Sequence, residues 1–307
     1  MAVNGNSVTI QVPATSANCG PGFDCLGLAC TLYNTFTYTL VPKERGVHVV
    51  SLGLDTSYVP TGRTNLAAQS FYHLWDKLHK GETGLQVVSH IEVPVSRGLG
   101  SSSTAVVAGL MAANVLGGAG LNKQQLVTEA TEMEGHPDNV APAILGGMTA
   151  SVQDNGQVYS LKLPMVPHYK LVVLVPDMQL PTAKARAALP KTISHKDAVY
   201  SVSRAALLIG SMVTGHYEYL PAALQDKLHQ PYRLPLIPGA EEAFAAAREA
   251  GAYNAVISGS GSTLMAYVPM DGDVEKVGKA MQEPFTKRNI HSVYHVLKID
   301  DEGAKVL

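Results

Sequence analysis

Residues 94–104 combine glycines and serines immediately before an alanine-rich stretch. Gly98 and Gly100 allow the main chain to turn tightly and approach a ligand closely, because glycine has no Cβ atom. The serines that follow can begin a helix, whose first N–H groups and positive dipole end would point at one place. Such a segment can bind a phosphate group, although a tight turn that caps a buried helix would use the same residues. It is not a Walker A loop, since no Gly-Lys-Ser/Thr occurs, and Ser103 replaces the third glycine of the dinucleotide fingerprint.

A second polar cluster runs from Glu134 to Asn139. Glu134 offers the hard carboxylate oxygen that Mg²⁺ prefers alongside phosphate oxygens and water, and His136, Asp138 and Asn139 are able to bind a substrate or accept a proton. The alternative is a solvated carboxylate at a helix end, followed by a turn that Pro137 and Asp138 initiate. His136 also suits a purely structural role, so the residues alone leave both interpretations open.

Two further segments contain residues that fit a binding site. In residues 13–24, Asp24 is the only charged side chain before Lys43, so it either caps a turn or meets a cation or hydroxyl group of a ligand. In residues 258–263, Gly259 and Gly261 join two predicted strands, where a hairpin turn is the ordinary explanation. The same glycines would also let this backbone approach a ligand bound by the first half of the chain.

The composition is that of a globular protein and excludes several classes. The chain has 307 residues, 46% of them hydrophobic, and a formal net charge of -2, so it offers no broad basic surface for nucleic acid or an anionic membrane. Its most apolar stretch, 105–121, is interrupted by Asn114 and four glycines, which argues against a membrane span. The start lacks the basic residues of a secretory signal, and the three cysteines lack metal-binding spacing. We therefore expect a cytoplasmic protein with reduced thiols.

The first half predicts strands and helices around the segments above. The predicted elements are strands at 7–12, 26–41, 47–52 and 85–93, helices from about 65 and at about 104–116, and a hairpin of 146–152 with 157–163. Asn122 and Gln125 have the spacing of a capping box at the start of a third helix.

The second half predicts an α+β domain with helices on one face of an antiparallel sheet. The predicted elements are strands at 169–175, 252–257, 263–268 and 290–299, and helices within 182–226, at 241–250 and near 274–285. Prolines near residue 165 place the boundary between two domains, 1–164 and 165–307.

Taken together, the four segments resemble the GHMP kinase superfamily and, within it, the homoserine kinase family, over nearly the whole chain. They occur in the family order: Pro-Ala-Thr-Ser-Ala-Asn-Cys-Gly-Pro-Gly-Phe-Asp from Pro13, Pro-x-x-x-Gly-Leu-Gly-Ser-Ser from Pro94, Glu-Gly-His-Pro-Asp-Asn-Val-Ala-Pro from Glu134, and Ser-Gly-Ser-Gly-Ser from Ser258. In the last segment, Ser260 and Ser262 replace the more usual alanine and proline.

This resemblance implies a two-domain α+β fold, with an N-terminal ATP-binding domain like the second domain of ribosomal protein S5 and a ferredoxin-like C-terminal domain. It implies ATP-dependent phosphorylation of the side-chain hydroxyl of L-homoserine to O-phospho-L-homoserine in threonine biosynthesis, with Mg²⁺ as cofactor. Phosphoryl transfer depends mostly on positioning and charge neutralisation. Without a P-loop lysine, the N–H groups of residues 98–103, the helix dipole and Mg²⁺ would supply both.

The resemblance also assigns roles to individual residues. The predicted metal ligands are Ser101, Ser102 and Glu134. The predicted ATP-binding residues are Pro94, Arg97, Gly98, Leu99, Gly100, Ser101, Ser102, Ser103, Gly259, Ser260 and Gly261. The predicted substrate-binding residues are Asn18, Asp24, His136, Asn139, Arg186 and Arg233, with the two arginines binding the carboxylate in forked geometry. The predicted catalytic residues are Asp24, Asp138 and Asn139; Asp138 either takes the hydroxyl proton or, with Asn139, only orients the substrate.

Other functions were weighed against this one. Another GHMP small-molecule kinase, such as a mevalonate kinase, and a non-catalytic nucleotide sensor on the same scaffold are the alternatives. The absence of Gly-x-Ser-x-Gly and of His-Glu-x-x-His argues against an α/β-hydrolase and a zincin protease. We expect a small-molecule substrate, no nucleic-acid or membrane partner, and a homodimer as the possible assembly.

Overall fold

The fold consists of two sheets with helices on their outer faces. The computed structural model describes residues 5–42, 46–166 and 169–307. The strands are β1 (Ser7–Ala17), β2 (Leu26–Val41), β3 (Val47–Gly53), β4 (Gly84–Ile91), β5 (Met148–Asp154), β6 (Gln157–Lys162), β7 (Tyr169–Pro176), β8 (Asn254–Ile257), β9 (Leu264–Pro269), β10 (Ser292–Leu297) and β11 (Lys305–Val306). The helices are α1 (Leu66–Lys77), α2 (Ser101–Gly117), α3 (Lys123–Glu134), α4 (Pro137–Leu145), α5 (Thr182–Ala187), α6 (His195–Thr214), α7 (Leu220–Ala223), α8 (Gln230–Arg233), α9 (Ala240–Glu249) and α10 (Val274–Thr286).

The first sheet has seven strands and supports α1 to α4. Its main path is β11-β1-β2-β4-β3, and β5 and β6 branch from β2. The 16-residue strand β2 makes this possible, because its first residues pair with β5 and its last residues pair with β4. Phe71 of α1, Leu110 of α2 and Val140 of α4 are buried in one core with Ile10 of β1. The helices are thereby fixed relative to the end of β1.

The second sheet has four antiparallel strands in the order β10-β7-β9-β8. Its strand–helix–strand–strand–helix–strand sequence is that of the ferredoxin-like motif. Phe244 of α9 and Phe285 of α10 are buried on one face of this sheet. On its other face, Tyr267 shares a core with Leu28 and Cys30 of the first sheet. The α+β prediction is confirmed, and the exact boundary at residues 164 and 165 stays a prediction.

Several predicted boundaries were wrong, each for a local reason. The strand predicted to end at Val12 continues to Ala17, past a register shift at Pro13. The strand predicted to end at Val93 stops at Ile91, because the Asn34 side chain accepts the N–H groups of residues 92 and 93. The strand predicted at 290–299 spans only Ser292–Leu297, and the two-residue β11 was not predicted.

Two helix starts that matter for the site also differ from prediction. Helix α2 begins at Ser101 rather than near Thr104, because Gly100, in the left-handed conformation, is its N-cap. Helix α4 was not predicted, since a turn initiated by Pro137 and Asp138 was the only local structure considered there. Pro137 instead occupies the first helical turn, where the N–H that proline lacks has no intrahelical acceptor anyway.

Other local predictions are confirmed. Asn122 and Gln125 form the expected capping box at the start of α3. The hairpin of β5 and β6 pairs Asp154 with Gln157. The three cysteines are free, with Cys19 and Cys30 packed in the core between the sheets. No helix among the described residues is both long and apolar enough to cross a membrane.

Candidate active site

A cavity of about 320 Å³ lies between the end of β1, the starts of α2 and α4, and loops of the second half of the chain. Its volume lies in the range of small-molecule sites, which is about 300–1,000 Å³. Most of the predicted site residues line it: Asn18, Asp24, Gly98, Gly100, Ser101, Ser102, Glu134, His136, Asp138, Asn139, Arg186, Arg233, Gly259 and Ser260. The four sequence segments thus meet at one place.

Residues 94–100, the glycine loop, lead into α2 at the cavity wall. Gly98 and Gly100 have φ angles of +86° and +67°. A Cβ at Gly98 would lie 2.3 Å from Ser258 O, and one at Gly100 would lie 2.0 Å from Thr15 Oγ1. No side chain caps α2 and no acidic residue lies in its first turn. Its first N–H groups therefore lack acceptors within the helix and are available to an anion.

The loop 258–262 packs directly against the glycine loop. Ser258 Oγ donates to Gly98 O at 2.6 Å, and Thr263 N–H donates to Arg97 O at 2.9 Å. Gly259 N–H donates to Ala17 O at 3.1 Å. The loop therefore connects β8 to β9, as the hairpin interpretation required, and also holds the glycine loop in place.

The Ser102 hydroxyl and the Glu134 carboxylate line the cavity and offer two oxygen ligands for a metal ion. Burial raises the pKa of Glu134 above its ordinary value, and His136 and a hydrogen bond with the Ser102 side chain oppose this rise. The Ser101 hydroxyl instead donates to Val93 O at 3.0 Å. A half-buried carboxylate beside a hydroxyl group fits the oxygen ligands that Mg²⁺ prefers. Of the predicted metal ligands, Ser102 and Glu134 lie together, whereas the Ser101 side chain is directed toward the main chain of Val93, just after β4.

The start of α4 brings three polar side chains to the cavity. His136 Nδ1 lies 2.5 Å from Oδ1 of Asp138, whose side chain is buried. The hydrogen bond to Asp138 raises the pKa of His136, against the effect of burial. One oxygen of the Asp138 carboxylate is therefore already paired within the site. Asn139 Oδ1 accepts a hydrogen bond of 2.8 Å from Thr15 Oγ1, which leaves the Asn139 amide N–H groups for the cavity.

Asn18 and Asp24 belong to a tightly turned loop between β1 and β2. Both have left-handed φ angles, +71° and +56°, which non-glycine residues adopt at some cost and often at functional sites. Asn18 accepts from Asp24 N–H at 3.0 Å and donates to Gly259 O at 2.8 Å. The Asp24 carboxylate is paired with Arg186 of α5 through two hydrogen bonds of 2.9 Å. The loop therefore presents Asp24 to the second half of the chain.

Arg233 is a buried cation on the cavity wall. Only 2% of its surface is exposed, and burial lowers the pKa of its guanidinium. Its hydrogen bonds go to Gly259 O at 3.1 Å, to Ala185 O at 3.4 Å and to the His229 ring. Among the described residues, no carboxylate forms an ion pair with it. A buried guanidinium that no carboxylate contacts directly favours an anionic ligand.

Five predicted ATP-binding residues do not line the cavity: Pro94, Arg97, Leu99, Ser103 and Gly261. The Arg97 guanidinium is paired with Asp55 at 2.7 Å and Asp177 at 2.8 Å, and Leu99 is fully buried in the core between the sheets. Gly261 packs against Ile237 and Leu180 instead. These residues shape the loops around the cavity, and direct ATP contacts at their side chains stay predictions.

Sequence reasoning missed several residues of the site. Thr15 and Phe23 lie inside the segment 13–24, so that segment contained the signal for both. His229 is one of 11 histidines and belongs to no local motif. At the opposite end of the cavity, Tyr58, Val59 and Pro60 form an apolar wall beside Asn65, the N-cap of α1. No pattern in the sequence distinguished that wall from an ordinary surface loop.

Comparisons with known proteins agree with this geometry. Residues 65–147 match the model of the GHMP kinases N terminal domain, and residues 205–287 match the model of the GHMP kinases C terminal domain. The chain is 43% identical over 302 residues to a homoserine kinase of Crocosphaera subtropica, which covers 98% of each protein. It is 40% identical to one of Desulfitobacterium hafniense, covering 98% of this chain and 100% of the relative. The chain belongs to the homoserine kinase family of GHMP kinases.

Solved structures of GHMP kinases extend the similarity to three dimensions. The homoserine kinase from Cytophaga hutchinsonii superposes with a TM-score of 0.90 at 30% identity, covering 100% of this chain and 99% of that one. L. major mevalonate kinase superposes with a TM-score of 0.71 at 14% identity, which shows a common fold and not a common substrate. The protein is therefore an ATP-dependent small-molecule kinase, as the four segments predicted.

Proposed function

We propose that the protein transfers the γ-phosphoryl group of ATP to the side-chain hydroxyl of L-homoserine, giving O-phospho-L-homoserine for threonine biosynthesis. The observation that carries this proposal is Arg233, a buried guanidinium on the cavity wall without a carboxylate partner among the described residues. The Asp24 carboxylate lines the same cavity. The positive charge of Arg233 and the negative charge of Asp24 in one cavity suit a zwitterionic amino acid.

The substrate end would bind both charges of homoserine. Its carboxylate would accept hydrogen bonds from Arg233 and Arg186, and its ammonium group would donate to Asp24. Because Asp24 and Arg186 are paired with each other, binding exchanges one ion pair for two contacts with the substrate. This exchange leaves no charge unpaired in the closed site.

The nucleotide end would bind ATP without a lysine. The N–H groups at the start of α2 and the backbone of the glycine loop would contact the phosphates, and the apolar wall of Tyr58, Val59 and Pro60 would contact the base. Ser102 and Glu134 would hold Mg²⁺, which neutralises charge on the phosphate oxygens when it is bound. Mg²⁺ binding, direct ATP contacts, a cytoplasmic location and a homodimer stay predictions.

The hydroxyl oxygen of homoserine would attack the γ-phosphorus as the bond to ADP breaks. Asn139 would donate an amide N–H to the reacting oxygens, since its own carbonyl oxygen is occupied by Thr15. Asp138 is hydrogen-bonded to His136, so one oxygen of its carboxylate already has a partner within the site. We therefore assign Asp138 an orienting role, with the hydroxyl proton passing to an oxygen of the transferred phosphoryl group.

A single substrate panel tests the function. Purified protein is supplied with ATP and magnesium, and ADP release is measured with L-homoserine, L-serine, L-threonine and mevalonate. Homoserine should give the highest kcat/KM, with a new phosphomonoester signal by ³¹P NMR. Turnover of mevalonate without turnover of homoserine would instead identify a different GHMP kinase, and ATP binding without turnover of any alcohol would indicate a nucleotide sensor.

A further inference from the structure

His229 is a fully buried histidine whose two ring nitrogens both have partners. Nε2 lies 2.8 Å from Gly20 O. Because a carbonyl oxygen only accepts hydrogen bonds, Nε2 must carry the proton. Nδ1 is then an acceptor, and it lies 3.3 Å from Nη1 of Arg233. One neutral tautomer satisfies both contacts, and burial favours it by lowering the pKa of His229.

The surrounding residues fix this ring from three directions. Phe23 stacks on it with ring centroids 5.2 Å apart, and the Arg233 guanidinium lies 5.2 Å from the centre of the same Phe23 ring. Asp226 accepts the backbone N–H groups of His229 and Gln230, each at 2.8 Å. His229 therefore connects the start of α8 to the loop that contains Asp24.

Among the described residues, the acceptors of the Arg233 guanidinium are neutral: two backbone carbonyls and the imidazole nitrogen. A carboxylate in the place of the imidazole would also orient the guanidinium, but it would neutralise the charge that an anionic substrate needs. A neutral acceptor fixes the direction of the donors and leaves that charge for the ligand.

We propose that His229 is a positioning residue that holds Arg233 in the orientation that binds the substrate carboxylate, and that it thereby sets selectivity for amino-acid alcohols over alcohols that lack a carboxylate. This inference rests on the proposed function, because it assigns Arg233 to the α-carboxylate of the substrate. His229 itself does not touch the reacting atoms. It acts through Arg233.

The test compares L-homoserine with 3-amino-1-propanol, which has the same ammonium and hydroxyl groups but no carboxylate. In His229→Phe, the stacking ring is retained and both hydrogen bonds are lost. KM for homoserine should rise about tenfold or more, the size of one lost hydrogen bond to a charged group. KM for ATP and kcat/KM for 3-amino-1-propanol should change by no more than about twofold, so the preference for homoserine falls about tenfold.

Two further variants separate positioning from folding. His229→Gln, which keeps a donor and an acceptor, should recover part of the homoserine preference. Ser201→Ala removes a buried hydroxyl that contacts Oδ1 of Asp226, the oxygen that does not accept from His229 N–H, and it should leave both KM values unchanged. Equal losses with both alcohols, at equal melting temperature, would show a general structural effect and overturn the inference, as would an unchanged homoserine KM in both His229 variants.

Failure of the proposed function is recognised separately. If the unmodified protein does not phosphorylate homoserine, the proposed function is wrong, whatever the variants do. The His229 inference is then tested by thermal shift with L-homoserine, L-serine and 3-amino-1-propanol as probes. Stabilisation of the unmodified protein by the two amino acids, lost in His229→Phe, supports a carboxylate site at Arg233; equal stabilisation of both proteins, or none of either, contradicts it.

Discussion

The two ends of the cavity bind charge by different means. At the nucleotide end, the groups available to an anion are backbone N–H groups at the start of α2, and the glycine loop that presents them is already held by Ser258 and Thr263. At the amino-acid end, the groups are charged side chains that pair with one another, as Asp24 does with Arg186. In the proposed function, the nucleotide end is preformed, whereas Asp24 and Arg186 at the amino-acid end would exchange partners when a ligand enters.

This difference predicts which amino-acid substitutions each end of the cavity tolerates. A backbone site depends on close approach, so added volume disrupts it while charge substitutions nearby have little effect. A side-chain site depends on the balance of charge, so removal of one charge leaves another without a partner. The substitutions below separate the two dependences.

The largest effect is expected from Gly100→Ala. The new Cβ would collide with Thr15 Oγ1 and displace the start of α2, so kcat/KM should fall on the order of 10²- to 10³-fold, as when a donor to developing negative charge is lost. The matched control is Gly118→Ala at the other end of α2, which has a similar φ of +64° but no atom within 4 Å. Steady-state kinetics and urea unfolding of both variants provide the measurement. Equal losses in both variants would mean that backbone strain, rather than volume, decides.

Arg233→Met should come next and should affect only the amino-acid end. Loss of a buried charge that binds the substrate carboxylate should lower kcat/KM for homoserine about 100-fold, while the rise in melting temperature caused by ATP stays the same. Arg186→Met is the comparison. Because Arg186 is partly exposed and already paired with Asp24, its loss should cost only about tenfold. If the melting shift with ATP disappears in Arg233→Met, the two ends are not separable.

Asp138→Asn should have a moderate effect on kcat. An orienting carboxylate that is already hydrogen-bonded to His136 predicts a loss of about tenfold at unchanged homoserine affinity, measured by single-turnover kinetics. A loss of well over 100-fold under the same conditions would identify Asp138 as the catalytic base instead.

The smallest expected effect is a shift in the pKa of His136. The hydrogen bond to Asp138 raises the pKa of His136 above its ordinary value of 6.5. The pair therefore stabilises the fold fully below about pH 6.5 and loses that contribution as the pH rises through the raised pKa. Two-dimensional ¹H–¹⁵N NMR should show a midpoint above 6.5, and Asp138→Asn should lower it. An unchanged His136 midpoint in Asp138→Asn would show that Asp138 does not raise the pKa of His136.

Sequence patterns predicted the structural features that depend on residues within one short segment. The capping box of Asn122 and Gln125 and the hairpin of β5 and β6 depend on neighbours within a few residues. Asp24 was identified because no other charge lies near it in the sequence. Interactions between neighbouring residues determine these features, so a short stretch of sequence is enough to predict them.

Features that depend on distant contacts were not predictable in this way. The Arg97 side chain is withdrawn from the cavity by Asp55 and Asp177, which lie 42 and 80 residues away in the chain. The early end of β4 depends on the side chain of Asn34, and the short β11 is a strand only because β1 offers it a partner. The role of His229 depends on Gly20, which lies 209 residues away in the chain.

The last strand, β11, pairs with β1 after the chain has passed through the whole second sheet. Asp300 accepts a hydrogen bond of 2.8 Å from the Tyr33 hydroxyl, and Leu307 N–H donates to Thr9 O at 3.0 Å. The β1 edge of the sheet that supports the glycine loop therefore stays without this partner during translation until residues 305–306 have been synthesised. The first sheet thus gains β11 only when the second sheet, whose loop 258–262 packs against the glycine loop, is already in the chain.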